Sequence, residues 1–415
     1  MNKTIVASLI GLLFSAPACA DDAIQTGDVV VTATRFPESR PRTPGNISII
    51  TREDIKNSPA LSIPDLLKTQ AGINVSNFYG NQGIDASVDI RGFGDAAISN
   101  TLILLDGQRL NAVDGSNIQW ASIPLQALER IEIIRGGGSV LYGDRASGGV
   151  INLITDKSGR PAASATATLG SYGYKGLDAY VAGGGDSNVY FNTFVHSTDA
   201  NGYRENTASN TLSVTGRAGF RQDGNDTFID YSLYRVANGV PGSIDSQTFH
   251  DHPRRARTPF DSQEKKGFRL RPGTSVAIGD KLRLDAEFAI SGEQYAFDNP
   301  SFGAGSTSGR NLHTVSFTPR INWQHGLATL PSQTTAGFDY YYGRVNADAS
   351  SFASQDARQI SKAIYLQNMT SLTDRLDLTA GVRSQNMQQQ ATQDAFDNGF
   401  FVTPGASGSS DRSRS

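Results

Sequence analysis

Apolar and polar residues alternate along most of the chain beyond residue 160. In one such run, Leu282, Leu284 and Phe288 alternate with Asp285 and Glu287. Patterns of period two that extend over about ten residues predict β-strands with one apolar and one polar face. Eleven strands of this kind are predicted, near residues 162, 176, 188, 210, 227, 266, 281, 312, 335, 361 and 375.

The segments between these strands alternate in length. Residues 199–209, 238–265 and 298–310 are long and polar, whereas residues 184–187 and 223–226 are short. Long loops at one end and short turns at the other are typical of outer-membrane β-barrels. A soluble β-sandwich produces the same alternation of side chains, so this pattern alone leaves both folds open.

Residues 40–155 have a mixed pattern that predicts one small α+β domain. Its strands are predicted from short apolar runs at residues 47–50, 73–75, 88–92, 101–105 and 108–110. Thr51 and Ser62 each precede a helical pattern and are suitable N-cap residues. The pair Asp106-Gly107 predicts a two-residue hairpin turn between two of the strands.

The last segment of this domain, residues 131–155, reads IEIIRGGGSVLYGDRASGGVINLIT and has six glycines between two β-branched runs. Gly138 and Gly143 have the spacing of a phosphate-binding P-loop. Asp144 and Arg145 follow, however, where that motif requires lysine and a hydroxyl residue. We therefore do not predict nucleotide binding, and we interpret the glycines as positions of tight turns and close backbone packing.

Residues 1–20 have the features of a secretory signal peptide. Lys3 supplies the positive charge, residues 5–14 form an apolar stretch too short to span a bilayer, and Ala18-Cys19-Ala20 is a small-residue cleavage site. Lipidation at Cys19 is an alternative, but Ala16 stands where a leucine-like residue is expected. No later segment is a candidate transmembrane helix, so we expect an exported protein whose only cysteine is removed with the signal.

Residues 131–155 resemble the end of the plug domain of TonB-dependent outer-membrane receptors. That pattern, R-G-x-x-S-x-x-Y-G-x-x-A-x-G-G-x-I-N-x-I-T, is matched without a gap, although many members have proline where this chain has Gly137. The residues that carry the resemblance, here and in two earlier plug segments, are Arg91, Gly92, Asp106, Gly107, Arg135, Gly136, Tyr142, Gly143, Gly148, Gly149 and Asn152. The resemblance implies a membrane β-barrel, 22-stranded and antiparallel when complete, with an N-terminal α+β plug domain inside it.

The eleven predicted strands are too few to enclose such a plug. They would form a barrel with a radius of about 11–12 Å, whereas a compact domain of about 115 residues has an outer radius of about 17 Å. Twenty-two strands give about 23 Å. Residues 405–415 are glycine, serine and charged residues, and we do not predict a final membrane strand there. We therefore expect residues 160–415 to be a partial barrel, cut in a loop after strand eleven and open along one side.

Residues 21–39 are predicted to be a periplasmic segment that carries a partner-binding strand. The β-prone run consists of Asp28, Val29, Val30, Val31, Thr32, Ala33 and Thr34, and prolines separate it from the domain that follows. A tethered strand with unpaired edges is suited to strand addition. An ordinary edge strand of the plug is the alternative. The resemblance implies that the run is a TonB box, which pairs with TonB of the inner-membrane TonB, ExbB and ExbD complex.

Two polar loops of the plug are the predicted ligand contacts, because aromatic and amide groups stack on or hydrogen-bond large polar ligands. They are Asn77, Phe78, Tyr79, Asn81 and Gln82 in the first loop, and Asn111, Asp114, Ser116, Asn117 and Trp120 in the second. The resemblance implies uptake of cobalamin or a ferric siderophore. A carbohydrate or another metal complex is an alternative ligand. A TonB-linked signalling receptor is disfavoured, because only residues 21–27 precede the box.

Charge and motif content exclude several other functions. A formal net charge of −3 offers no basis for nucleic-acid binding. The chain has no metalloprotease, serine-hydrolase or clustered Cys/His motif, so we predict neither an enzyme nor a resident cofactor. His250, His252 and three arginines form a basic loop, either solvated or suited to an anionic ligand or lipopolysaccharide. Asp199, Asp245 and Asp251 are candidate calcium contacts, although the sequence has no dense array of acidic residues around them. We expect a monomer in contact with outer-membrane lipid.

Overall fold

The computed structural model describes residues 46–77, 83–136, 139–184, 187–303, 305–328, 330–349, 352–373, 376–394, 396–397, 402–403 and 405–414. The predicted signal peptide and the predicted TonB box lie outside these residues. So do Phe78, Tyr79, Asn81 and Gln82 of the first predicted ligand loop.

Residues 46–155, which we call the plug, form an α+β unit around a five-stranded sheet. The described strands of the plug are β1 (Asn46–Thr51), β2 (Ile73–Ser76), β3 (Ser87–Ile90), β4 (Thr101–Leu105), β5 (Gln108–Arg109), β6 (Leu128–Arg135) and β7 (Gly149–Thr155). The sheet order is β1-β6-β7-β4-β5, and β2 pairs separately with β3. Strands β4 and β7 are parallel, and the other pairs of the sheet are antiparallel.

The described part of the plug contains four short α-helices, and the first two begin at the predicted caps. They are α1 (Arg52–Asn57), α2 (Ile63–Leu67), α3 (Ala97–Asn100) and α4 (Ser139–Tyr142). Thr51 and Asp54 form a reciprocal capping box at α1, and the Ser62 hydroxyl accepts a hydrogen bond from the Asp65 amide at α2. No helix in the described ranges is long and apolar enough to cross a bilayer.

The two faces of the plug sheet pack against different partners. On one face, Ile131, Ile151 and Leu153 are fully buried in a core that includes residues of α1 and α2. On the other face, Val150 packs in a second cluster with residues of α4 and with Tyr365, which belongs to a strand outside the plug. The plug therefore makes an apolar contact with the part of the chain that follows it.

Beyond residue 160 the chain forms one large antiparallel sheet, which we call the wall. Its strands are β8 (Ala162–Leu169), β9 (Lys175–Gly183), β10 (Val189–Ala200), β11 (Ser209–Gln222), β12 (Asn225–Gly239), β13 (Ser262–Ile278), β14 (Leu282–Asp298), β15 (Thr307–Phe317), β16 (Arg320–Leu327), β17 (Leu330–Ala349), β18 (Phe352–Thr373) and β19 (Leu376–Gln393). The structure also describes a helix α5 (Ser246–Asp251), a small hairpin of β20 (Phe396–Asp397) and β21 (Val402–Thr403), and a last wall strand β22 (Ala406–Arg414).

The predicted strand near residue 312 is interrupted in the structure. Strands β15 and β16 lie in line, both between β14 and β17, and the pairing register is the same on each side of the break. The break falls at Thr318 and Pro319, where proline has no N–H to donate to the sheet. When β15 and β16 are counted as one interrupted strand, the eleven predicted strands are confirmed.

The expectation that a loop follows strand eleven at residues 405–415 was wrong, because β22 pairs with β19 over Gln385–Gln393. The polar composition of this segment argued against a membrane strand. Without β22, the edge of β19 would have unpaired backbone N–H and C=O groups, and an antiparallel partner satisfies such groups whatever its side chains are. The wall is an open sheet whose edges in the described part of the chain are β8 and β22.

Side chains of the wall alternate between its two faces as the period-two pattern predicts. Leu212 and Leu233 are exposed on the outer face, whereas Ser213, Arg217 and Glu287 are buried on the inner face. Residues 201–208, 240–261 and 299–306 are loops at one end of the wall, here called the loop end. Residues 223–224 and 279–281 are short turns at the opposite, turn end.

Candidate functional site

The plug contacts the inner face of the wall through its edge strand β5. Gln108, only 4% exposed, donates from Nε2 to Glu287 Oε2 at 2.7 Å and to Thr318 Oγ1 at 3.1 Å. Its Oε1 accepts from the Ser316 hydroxyl at 3.1 Å. One plug side chain therefore uses both ends of its amide to bind three residues of the wall.

The Asp106-Gly107 turn is the second contact. Asp106 has a φ of 52° and Gly107 a φ of 83°, the left-handed conformation that this hairpin requires. Lys157 lies 2.9 Å from the Asp106 carboxylate, and Arg271 of the wall donates to the Asp106 carbonyl at 2.8 Å. Burial opposes ionisation of Asp106, but Lys157 and Arg271 outweigh it and hold the pKa of this carboxyl well below its usual range.

A third contact joins the end of α4 to the wall. Arg109 binds Asp144 through both terminal nitrogens, at 2.9 and 3.0 Å, and Gln385 of the wall donates to the same carboxylate at 2.9 Å. Despite burial, Arg109 holds the pKa of Asp144 well below its usual range. A Cβ on Gly143, whose φ is 78°, would lie 2.7 Å from the Arg383 guanidinium.

The plug-motif residues hold the plug together. A Cβ on Gly149, whose φ is 152°, would lie 2.6 Å from the Ile134 carbonyl oxygen, so glycine lets β7 approach β6 closely. Asn152 accepts from the Gly107 amide at 3.1 Å and thereby ties the motif to the hairpin turn. Arg135 donates to the Ala71 carbonyl at 2.9 Å. These contacts explain the motif as internal support of the plug.

The second predicted ligand loop lies towards the loop end of the wall. Asp114 lies 2.8 Å from Arg310 near the start of β15, and it also accepts from the Ser116 hydroxyl at 2.8 Å. Asn117 donates to the carbonyl of Asp85 at 3.2 Å. The Asp85 carboxylate in turn forms a buried ion pair with Lys265 of β13. Asn77 is exposed at the end of β2, where the first predicted loop begins.

Two predicted contact residues are placed differently from our expectation. Trp120 is 2% exposed in the plug core, and its indole N–H donates to the Ala86 carbonyl at 2.9 Å. The Asn111 amide is used internally, since it donates to the Thr101 carbonyl at 3.0 Å and accepts from the Ile103 amide at 2.8 Å. This placement corrects the prediction for both residues, which support the loop from beneath.

Sequence reasoning did not identify the charged network of the inner wall. Arg271 donates to Asp230 at 2.8 Å and to Glu287 at 3.0 Å, and Arg320 donates to Glu287 at 2.8 Å. These residues lie on inward positions of neighbouring strands, as the alternation predicts for the polar residues of the wall. Which acid meets which base depends on strand register, which the alternation does not reveal.

Asp199, Asp245 and Asp251, the residues considered for calcium, all lie among the described residues. Among the described residues, no group of three or more His, Cys, Asp or Glu side chains is placed to hold a metal ion. Asp245 instead caps α5, where it accepts from the Thr248 amide at 2.7 Å. In the same basic loop, the Arg254 guanidinium lies 5.4 Å from the ring centre of Tyr203.

Comparisons with known proteins agree with this architecture. Residues 39–150 match the model of the TonB-dependent receptor plug domain, and residues 165–412 match that of the TonB-dependent receptor-like β-barrel. The chain is 27% identical over 382 residues to the vitamin B12 transporter BtuB of Photobacterium profundum, a match that covers 90% of this chain and 59% of that protein. It is 42% identical over 156 residues to an iron-regulated outer membrane virulence protein of Vibrio cholerae, covering 36% of this chain and 23% of that protein.

Solved structures share the fold at low sequence identity. The ferric citrate transporter FecA in its unliganded form superimposes with a TM-score of 0.76 at 16% identity, over 89% of this chain and 59% of that one. The ferric yersiniabactin uptake receptor FyuA from Yersinia pestis gives 0.72 at 14% identity, over 89% and 60%. The chain spans less than two thirds of the length of these relatives. The two matched family models, together with the plug and the β-stranded wall, show that the chain belongs to the family of TonB-dependent receptors.

Proposed function

We propose that this protein takes up a scarce nutrient across the bacterial outer membrane and that TonB drives the uptake. The observation that carries the proposal is a folded plug tied to the inner wall by polar contacts spread along the wall strands. These are Asp85 with Lys265 towards the loop end, Gln108 with Glu287, and Asp144 with Gln385. A plug held in this way obstructs free passage, so transport requires work to loosen it.

In this proposal the energy reaches the plug through the N-terminal segment. Residues 1–20 direct export, and residues 28–34 pair as an added strand with TonB, which the ExbB and ExbD proteins energise. The protein acts as a monomer in the outer membrane. The proposed ligand contacts are the four predicted residues that the structure describes and does not bury, Asn77, Asp114, Ser116 and Asn117.

The proposed ligand is cobalamin or a ferric siderophore. Support comes from the relatives, because one is named a vitamin B12 transporter and others are named transporters or receptors of ferric citrate and ferric yersiniabactin. Polar loops that present amide and carboxylate groups towards the loop end suit a large polar ligand. Growth of a strain that lacks the full-length gene, on limiting cobalamin or on iron chelates, separates the two classes. Unimpaired growth on both would contradict the proposal.

The energy coupling is tested by Val31→Pro in the whole receptor. Proline removes a backbone donor from the added strand, so uptake should fall to background while ligand binding remains. Gln25→Pro, which lies before the proposed box, is the matched control and should leave uptake unchanged. Equal uptake by the two variants would count against the box assignment.

A further inference from the structure

A cavity of about 140 Å³ lies between the plug and the inner face of the wall. Its lining includes Asn117, Gln119 and Arg145 of the plug, and Arg269, Ser291 and Tyr342 of the wall. This volume is close to the roughly 150 Å³ of an apolar cavity that binds benzene, so it is large enough for a small organic group. The lining here is polar and charged, which favours a polar occupant.

The wall side of the cavity has an arginine, Arg269, that is not paired with any of the residues that the structure describes. On the inward-facing row of β13, Lys265 pairs with Asp85, and Arg271 pairs with Asp230 and Glu287. Arg269 lies between them on the same row. Its guanidinium has no hydrogen bond or ion pair to any residue in the described ranges, and it lines the cavity. A guanidinium withdrawn from bulk water is stabilised by an anion.

The plug side supplies a second, independent observation. Gln119 is 7% exposed, and neither its amide nitrogen nor its amide oxygen has a hydrogen-bond partner among the described residues. Buried amides nearly always have partners, because an unmade bond forfeits the solvation of the group. Gln119 lines the same cavity as Arg269, so an amide and a guanidinium that have no hydrogen-bond partner in the described part of the chain face one space.

The remaining charges around the cavity favour a negative occupant. Glu293 is the wall carboxylate in the lining, and it already accepts bonds from Arg310 and Tyr234. Arg145 donates to the Ala112 carbonyl at 2.6 Å and lies 3.9 Å from Asp144, which Arg109 engages through two bonds. A guanidinium has five N–H donors, so Arg145 and Arg269 retain donors for a guest.

We propose that this cavity is an internal subsite for an anionic oxygen group, a carboxylate or a phosphate, of the transported molecule. Arg269 binds the oxygens through paired N–H groups, and the Gln119 amide completes their hydrogen bonding. The inference rests on the proposed uptake function and adds a preference of chemical class. Ligands that carry such a group are retained between plug and wall after they leave the outer loops.

Binding of radiolabelled citrate and of inorganic phosphate to the whole receptor in detergent tests the subsite, by equilibrium dialysis. Arg269→Gln should weaken binding of the favoured anion about tenfold or more, because a charge-assisted pair is lost. Arg269→Lys should recover part of the affinity. Gln119→Leu, which keeps the size of the side chain, should weaken binding several-fold. Lys281→Gln removes one positive charge from a short turn at the turn end and should change nothing.

If Arg269→Gln weakens the binding of citrate only, the subsite binds a carboxylate group of the transported molecule. If it weakens the binding of phosphate only, the subsite binds a phosphate group. The inference is overturned if the receptor binds neither anion at millimolar concentration, or if Arg269→Gln and Gln119→Leu bind as tightly as Lys281→Gln. The dialysis requires neither TonB nor a membrane potential. If Val31→Pro takes up ligand as well as the unmodified receptor and still binds the anion, the transport proposal is overturned and the subsite is not.

Discussion

Gln108→Leu should loosen the plug from the wall without disturbing either fold. The side chain is 4% exposed and makes three hydrogen bonds to the wall, one of them to the Glu287 carboxylate. A bond to a charged acceptor contributes about 1.5–3 kcal/mol and a neutral one about 1 kcal/mol. Glu287 keeps Arg271 and Arg320 as partners, so part of the loss is recovered, and we expect seating of the plug to weaken by about 3 kcal/mol, roughly a hundredfold.

The assay is the conductance of the whole receptor in planar lipid bilayers under increasing urea. Because free energies of unfolding fall linearly with urea, weaker seating should lower the concentration at which channels open. Gln324→Leu is the matched control, since Gln324 is an exposed glutamine of the wall near the turn end. Opening at the same urea concentration in both variants and the unmodified receptor would refute the idea that Gln108 holds the plug.

Two further predictions concern the plug itself. The pKa of Asp106 and that of Asp144 are lowered by their cationic neighbours, so both contribute stability above the unfolded pKa of about 3.9 and lose it as pH falls towards their folded values. The thermal midpoint of the plug should therefore fall between pH 5 and pH 3, less steeply in Asp106→Asn, and an equal slope would contradict this assignment. Gly143→Ala should destabilise the plug more than Gly115→Ala in chemical denaturation. Both have positive φ, but only at Gly143 does the added Cβ meet Arg383.

Local sequence patterns were sufficient for the type and order of most elements. Each wall strand except β22 follows from alternation within its own residues, because a sheet places successive side chains on opposite faces. The helix caps at Thr51 and Ser62 are equally local, since each involves a residue three positions away. The glycines of residues 131–155 predicted tight turns and close packing, and at Gly149 the structure shows the close approach of β7 to β6.

Two elements depended on their neighbours in the sheet. Strand β22 has few apolar residues, and it is a strand because β19 offers it an unpaired edge. The pairing of β15 and β16 continues in one register across Pro319, since β14 and β17 flank both strands. Neither arrangement is visible in a window of residues that excludes the partner strand.

The composition of the plug loops predicted polar ligand contacts but did not separate surface from support. Trp120 and Asn111 have the chemistry of contact residues. In the folded plug, however, Trp120 is buried in the core, and the Asn111 amide hydrogen-bonds to the plug backbone. The contact of Gln108 with Glu287 joins positions 179 residues apart, and the cavity beside Arg269 exists only because plug and wall do not fill the space between them. Sequence alone determined which faces are apolar, polar or tightly turning, because these depend on neighbours along the chain. Only the tertiary structure decided which polar groups meet and which are left without a partner, because strand register and the seating of the plug set those distances.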